Sequence, residues 1–264
     1  MSTIDYAIDK LPLLRTPFSQ LNTALGSHGG FHRGELIVIA AKNHNYREGL
    51  AHDLYQGLGL VNSPVMLDKT KIPAMVDIQF EVDPDAYTQT MQLRHRQITG
   101  VKDENSLRLL QCQTYHYMSM IVRDTSAYTL NDLFEFIDAL ESNGHEPHVI
   151  VIGDLSKIHQ VDLDGKLISL HQIYARVREH IAPRGYTLIT TLETERDFKY
   201  NDIIPIIQDV DTLIGLSCES NQLHIYCSKH RGSILPKETG IIPIDDGRGA
   251  VVDVPFTDVV RRQQ

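Results

Sequence analysis

The chain has 264 residues, close to the upper limit for one hydrophobic core, so we expect one domain preceded by a short N-terminal arm. The composition, with 42% hydrophobic and 22% charged residues, is ordinary for a globular protein. No apolar run approaches the roughly 20 residues of a membrane span, and the N-terminus lacks a secretory signal pattern, so we expect a cytoplasmic protein. The net charge of −9 provides no basic footprint for nonspecific DNA binding, although a ring can concentrate positive charge in its channel.

The cysteines and histidines predict no metal site. Cys112, Cys218 and Cys227 show neither CxxC nor Cys/His spacing, which favours reduced, buried thiols. His28 and His32 flank a glycine-rich turn, but the sequence offers no convincing further ligands beside them.

The first half of the chain predicts alternating strands and helices. A largely apolar run of strand length follows a glycine-rich turn, and helical patterns and further short apolar runs come after it. In chain order we predict a strand over Gly34–Ala41, a helix over Arg47–Leu58, a short strand over Pro64–Leu67, helices over Tyr87–Thr99 and Asp103–Leu110, and a strand over Tyr117–Val122.

The second half continues the alternation, starting with an apolar stripe at helical spacing behind an N-cap at Thr129, with Asp132 three residues later. The predicted elements are a helix over Thr129–Ser142, a strand over His148–Ile152, a helix over Leu167–Ile181, a strand over Tyr186–Thr191, and strands over Thr212–Ser217 and Leu223–Ser228 around a turn at Ser220-Asn221. This order predicts an α/β fold, a mostly parallel central sheet with helices on both faces.

Five segments, taken in order, resemble the C-terminal domain of DnaB-type hexameric helicases, which belongs to the RecA-like P-loop class. No single segment is decisive, but their order and spacing over Phe18–Val254 are. They are Pro17–Asn22 with Gly30–Leu36, Ile39–Lys42, Val122–Thr129, Val149–Leu155, and Gln208–Asp211 with Lys229–Gly232. The resemblance implies a RecA-like domain over residues 17–264 behind an arm of residues 1–16.

The phosphate-binding loop departs from that family. A working loop reads GxxxxGK[ST], in which glycine lets the backbone wrap the phosphates, lysine neutralises them and the hydroxyl holds Mg²⁺. Here, after Lys42, Tyr46 stands on the second glycine, Arg47 on the lysine and Glu48 on the Ser/Thr. A carboxylate is favoured at a helix N-terminus, so Glu48 is expected to satisfy that terminus from within and to compete with phosphate.

Other positions that the resemblance assigns to ATP chemistry have changed as well. Asp68 is the candidate for the catalytic glutamate that follows the second strand of the family. Gly153 aligns with the metal-side aspartate, and Asp154 comes one residue later. The glutamine that senses the γ-phosphate aligns with Glu193 or, if the strand is shifted, with Thr191, and neither supplies an amide donor.

Two groups of basic residues have candidate binding roles. The resemblance implies that Lys229 and Arg231 serve between subunits, and the alternative is a solvated cationic hairpin. Arg94, His95 and Arg96 lie on a predicted helix and are candidates for contact with nucleic acid, with a solvated helix face as the preferred interpretation.

Three hypotheses follow. The leading one is a degenerate ATPase, without cofactor, that serves as an assembly or binding module in DNA replication or recombination. The second is an active DNA-dependent ATPase or helicase that uses ATP and Mg²⁺ with Asp68, Asp154 and Arg47. The third is a partner that caps or inhibits a true hexameric helicase. The expected partners are other copies of the chain or a helicase, and single-stranded DNA is a further candidate.

Overall fold

The computed structural model describes residues 8, 10–25, 29–42, 44–99, 115–161, 165–195, 208–219, 222–230, 233–234 and 240–243. The helices are α1 (Ser19–Ala24), α2 (His44–Val61), α3 (Pro84–Thr99), α4 (Leu130–Ser142) and α5 (Leu170–Ile181). The strands are β1 (Leu36–Ala41), β2 (Ile72–Phe80), β3 (His116–Val122), β4 (His145–Ile152), β5 (Thr187–Glu193), β6 (Thr212–Glu219), β7 (Gln222–His230), β8 (Ser233–Ile234) and β9 (Gly240–Pro243). No helix in these ranges is long and apolar enough to cross a membrane.

The strands form one sheet in the order β3-β2-β4-β5-β1-β6-β7-β8, and β9 pairs with β7. The pairs from β3 to β6 are parallel, and those among β6, β7, β8 and β9 are antiparallel. Because the six strands from β3 to β6 are parallel, their carboxyl ends meet at one edge, which we call the C-edge. The opposite edge is called the N-edge.

Helices cover both faces of the sheet, because alternate side chains of its buried strands point to opposite sides. In β1, Leu36 and Val38 belong to a core beneath α4 and α5, whereas Ile37 and Ile39 belong to a core beneath α2. The chain thus has the RecA-like architecture that its alternating pattern predicts.

Most predicted elements are confirmed within a few residues, including the N-cap of α4, where Thr129 and Asp132 form a reciprocal capping box. The strand predicted over Pro64–Leu67 is wrong, because those residues form a connection and the second strand is Ile72–Phe80. The helix predicted over Asp103–Leu110 and the turn at Ser220-Asn221 lie outside the described residues.

The arm joins the domain before its predicted end. Leu14 pairs with Phe31 in an isolated bridge, and both side chains are buried. Among the cysteines, Cys227 is a buried free thiol, and burial raises its pKa to about 12. Cys112 and the side chain of Cys218 lie outside the described part of the chain.

Candidate functional site

The C-edge gathers polar residues from four neighbouring strands. Lys42 follows β1, Glu193 ends β5, Asp154 comes two residues after β4, and Glu81 follows β2. Neighbouring strands lie about 4.8 Å apart, so these strand ends span roughly 14 Å. α2 begins three residues beyond β1, which places its first turns above the same edge.

Arg47 is buried in the first turns of α2, with its side chain only 1% exposed. Its Nη1 donates to the carbonyl of Ala41 (3.2 Å), and its Nη2 donates to Oε2 of Glu193 (2.7 Å). The residue that stands for the phosphate-binding lysine is therefore engaged by the protein's own carbonyl and carboxylate.

Glu48 is held by a different partner. The hydroxyl of Thr191 on β5 donates to Oε1 of Glu48 (2.6 Å), which leaves this oxygen 3.8 Å from Nε of Arg47. The two positions that the family resemblance offered for the γ-phosphate sensor, Thr191 and Glu193, thus contact the two substituted residues of the phosphate loop. Sequence alignment identified all four residues, but only the fold shows that they pair. Lys42 is exposed beside them.

Asp154 is buried, and both of its carboxylate oxygens accept from backbone amides. Oδ1 accepts from Ser156 (2.9 Å) and caps a short 3₁₀ turn, and Oδ2 accepts from Glu193 (3.2 Å). Gly153, at the position of the metal-side aspartate, lies against Phe80. A Cβ added there would come within 3.3 Å of the ring of Phe80, so a side chain would crowd it.

Glu81 is the residue that sequence reasoning missed. It directly follows β2, its φ is +57°, and its Oε1 accepts from the hydroxyl of Thr125 (2.6 Å). A non-glycine residue in this left-handed region costs about 1–2 kcal/mol, and such strain concentrates at functional sites. The alternation of Ala74, Val76, Ile78 and Phe80 was the signal that would have placed the strand, and therefore Glu81.

Asp68 does not occupy the position for which it was a candidate. It precedes β2, and its backbone amide donates to Glu146, the second residue of β4, so it lies at the N-edge. Its own carboxylate accepts from the amide and hydroxyl of Thr70. Asp68 was chosen because the second strand was placed too early in the chain, and with that strand corrected the candidate falls on the opposite side of the sheet.

Glu146 is the centre of a buried N-edge cluster. Burial alone would raise its pKa, but hydrogen bonds from His148 and from the amides of Asp68 and Leu67, together with the charge of Arg33, lower it to about 2. The side chains of Arg33 and Glu146 are only 2% and 3% exposed, and Nη2 of Arg33 lies 3.2 Å from the carboxylate. This ion pair fixes the connection that leads from α2 into β2.

Lys229 lies on β7, where its ammonium group donates to the carbonyl of Val210. Burial lowers its pKa, although the charge of Asp211 opposes this shift. Asp211 forms a bidentate pair with Arg178 of α5, and its Oδ2 also accepts from the amide of Leu36 (3.0 Å). Lys229 therefore contacts the segment before β6 in its own chain. Arg231 lies outside the described residues.

Arg94 is not on a solvated helix face. It is buried on α3, and its Nη1 donates to Asp53 (2.9 Å) and to the carbonyl of Gly49 (3.2 Å), both on α2. Arg96 is exposed, and the side chain of His95 lies outside the described residues. The ion pair fastens α3 to α2, and this position excludes Arg94 from a surface contact with nucleic acid.

A second buried carboxylate, Asp77, lies between β2 and these helices. It accepts from Gln79 of its own strand (2.6 Å) and from the hydroxyl of Tyr87 on α3, and Nε2 of His52 lies 3.9 Å away. Burial raises the pKa of Asp77 to about 6, although the hydrogen bonds from Tyr87 and Gln79 oppose the shift. This cluster closes the space beneath α2 and α3 next to the C-edge. In the described part of the chain, no group of three or more His, Cys, Asp or Glu residues could hold a metal ion.

A family model described as divergent DnaB-like ATPase matches residues 7–195, which is more than two thirds of the chain. The chain belongs to this family. No curated protein matches it significantly in sequence. The match includes the phosphate loop, β2, β4 and β5, and therefore every strand end that forms the candidate site.

Solved structures agree on the fold. The ATPase domain of a DnaB-like protein superposes with a TM-score of 0.66 at 12% identity, over 96% of this chain and 99% of that one. The flagellar accessory protein FlaH from Methanocaldococcus jannaschii superposes with a TM-score of 0.57 at 14% identity, over 93% and 100%. At these identities the likeness shows the RecA-like fold alone.

Proposed function

We propose that this chain is a non-hydrolysing member of the DnaB-like class, which serves as an assembly or binding module in DNA replication or recombination in the cytoplasm. The observation that carries the proposal is the buried Arg47, whose guanidinium is engaged by Ala41 and Glu193. Asp154 supports it, because both of its oxygens accept backbone amides that a bound Mg²⁺ would have to displace.

Calorimetry with ATP and Mg²⁺, together with the mass of the assembly in solution, tests this proposal. We expect no ATP binding in the micromolar range and no turnover, with or without single-stranded DNA. Turnover that Arg47→Ala abolishes would contradict the proposal, and so would micromolar binding by the wild-type protein. An assembly of defined mass formed without nucleotide is the expected positive result, since assembly is the proposed role.

An active ATPase is the second candidate function, and Glu81 is the observation that favours it. An exposed carboxylate at the end of β2, held by Thr125, is suitably placed to act as a base toward a nucleophilic water. This function would need ATP, Mg²⁺ and a release of Arg47 from Glu193. It predicts turnover that falls at least about 100-fold in Glu81→Gln.

A partner role follows from the resemblance to hexameric helicases. The chain would pair with copies of itself, or occupy a subunit position in a true helicase and inhibit it, with Lys229 and Arg231 at the contact. Co-purification with an active hexameric helicase, lost in Arg231→Ala, is the expected result for the inhibitory role. Retention of the complex in that variant would remove Arg231 from the contact.

A further inference from the structure

Glu193 covers the buried cation of the phosphate loop. Its position follows from the register of the sheet, in which Glu193 pairs with Ala41 where β5 and β1 end side by side. The side chain of Glu193 is 65% exposed, whereas that of its partner Arg47 is 1% exposed. A solvent-facing carboxylate therefore lies over a desolvated guanidinium.

The guanidinium of Arg47 retains unused donor capacity. Arginine has five N–H groups, of which the described contacts use one toward Ala41 and one toward Glu193. Its Nε is buried and has no hydrogen-bond partner among the described residues. Thr191 holds the carboxylate of Glu48 3.8 Å from that nitrogen, beyond hydrogen-bonding distance. A buried cationic donor without an acceptor is costly, so the arrangement favours a further oxygen ligand.

We propose that Glu193 is an intramolecular plug in an oxyanion site that the fold has kept. The inference rests on the proposed function, in which the phosphate loop is closed to nucleotide, and it names the contact that closes it. When Glu193 is withdrawn, Arg47 accepts a small oxyanion of the phosphate class in its place. The exposed side chain of Glu193 is the movable partner, because it turns into solvent without opening the core.

The test compares Glu193→Gln and Glu193→Ala with the wild-type protein, using inorganic pyrophosphate as the titrated ligand in calorimetry without divalent metal. A charge-assisted hydrogen bond regained by Arg47 predicts affinity at least about tenfold tighter in both variants. Glu195→Ala is the matched control, because it removes the same charge from an exposed position two residues away. Adding Arg47→Met to Glu193→Ala should abolish the gain.

Two results would overturn the proposal. One is equal pyrophosphate affinity in the wild-type protein and the Glu193 variants, and the other is an equal gain in Glu195→Ala. Circular dichroism verifies folding, and Glu193→Gln decides the matter if the alanine variant does not fold. Binding of ATP by the wild-type protein bears on the proposed function, whereas the difference between the Glu193 and Glu195 variants bears on the plug.

Discussion

Removal of Arg94 should destabilise the whole domain. The side chains of Arg94 and Asp53 are only 9% and 2% exposed and lie 2.9 Å apart. In Arg94→Ala the carboxylate of Asp53 remains buried without its guanidinium, and breaking a buried pair in this way costs about 3–5 kcal/mol. Since domains of this kind are stable by only about 5–15 kcal/mol, the loss is a large fraction of the free energy of unfolding.

Urea unfolding followed by far-ultraviolet circular dichroism measures this loss. Arg96→Ala is the matched control, since Arg96 is exposed on the same helix and its removal should change the free energy of unfolding by no more than about 0.5 kcal/mol. A double variant, Asp53→Leu with Arg94→Met, should recover much of the loss, because apolar side chains of similar volume replace a buried ion pair well.

The reasoning is refuted if Arg94→Ala loses no more stability than Arg96→Ala. It is also refuted if Arg94→Ala keeps its stability but binds single-stranded DNA more weakly than Arg96→Ala. That outcome would return Arg94 to the surface role that its sequence position suggested.

Three further predictions concern the other buried groups. Because burial raises the pKa of Asp77 from 3.8 to about 6, the folded state gains protons first, so the wild-type protein should gain up to about 3 kcal/mol relative to Asp77→Asn as the pH falls from 7 to 4; a constant difference between the two proteins in urea titrations would contradict this. The pKa of Glu146 is lowered to about 2, so its contribution should be complete above pH 4.5 and lost toward pH 2, and Glu146→Gln should flatten the acid limb of the thermal stability curve; an unchanged acid limb would argue against the cluster. Gly153→Asp should lower stability by about 1–3 kcal/mol through crowding of Phe80 and gain no ATP turnover in a phosphate-release assay, so turnover in this variant would reject the closed site.

The candidate site was only partly predictable from the sequence. Arg47 and Glu48 were identified by their places in a known loop pattern, because a local pattern needs no knowledge of the fold. Glu81 was missed because Pro73, Asp77 and Gln79 interrupt the apolar character of β2. Those polar side chains are tolerated in a buried strand only because neighbouring elements supply partners for Asp77, and such partners are remote in sequence.

The sequence by itself determined the fold class and most of the elements, since period, capping residues and turn residues act over a few neighbours along the chain. It also showed that Tyr46, Arg47 and Glu48 replace the residues of a working phosphate loop. Only the tertiary structure decided where the charges of the loop are neutralised. Arg47 meets Glu193, 146 positions away, because parallel pairing places the ends of β1 and β5 side by side. Contacts between distant residues depend on strand order and register, which no local pattern records.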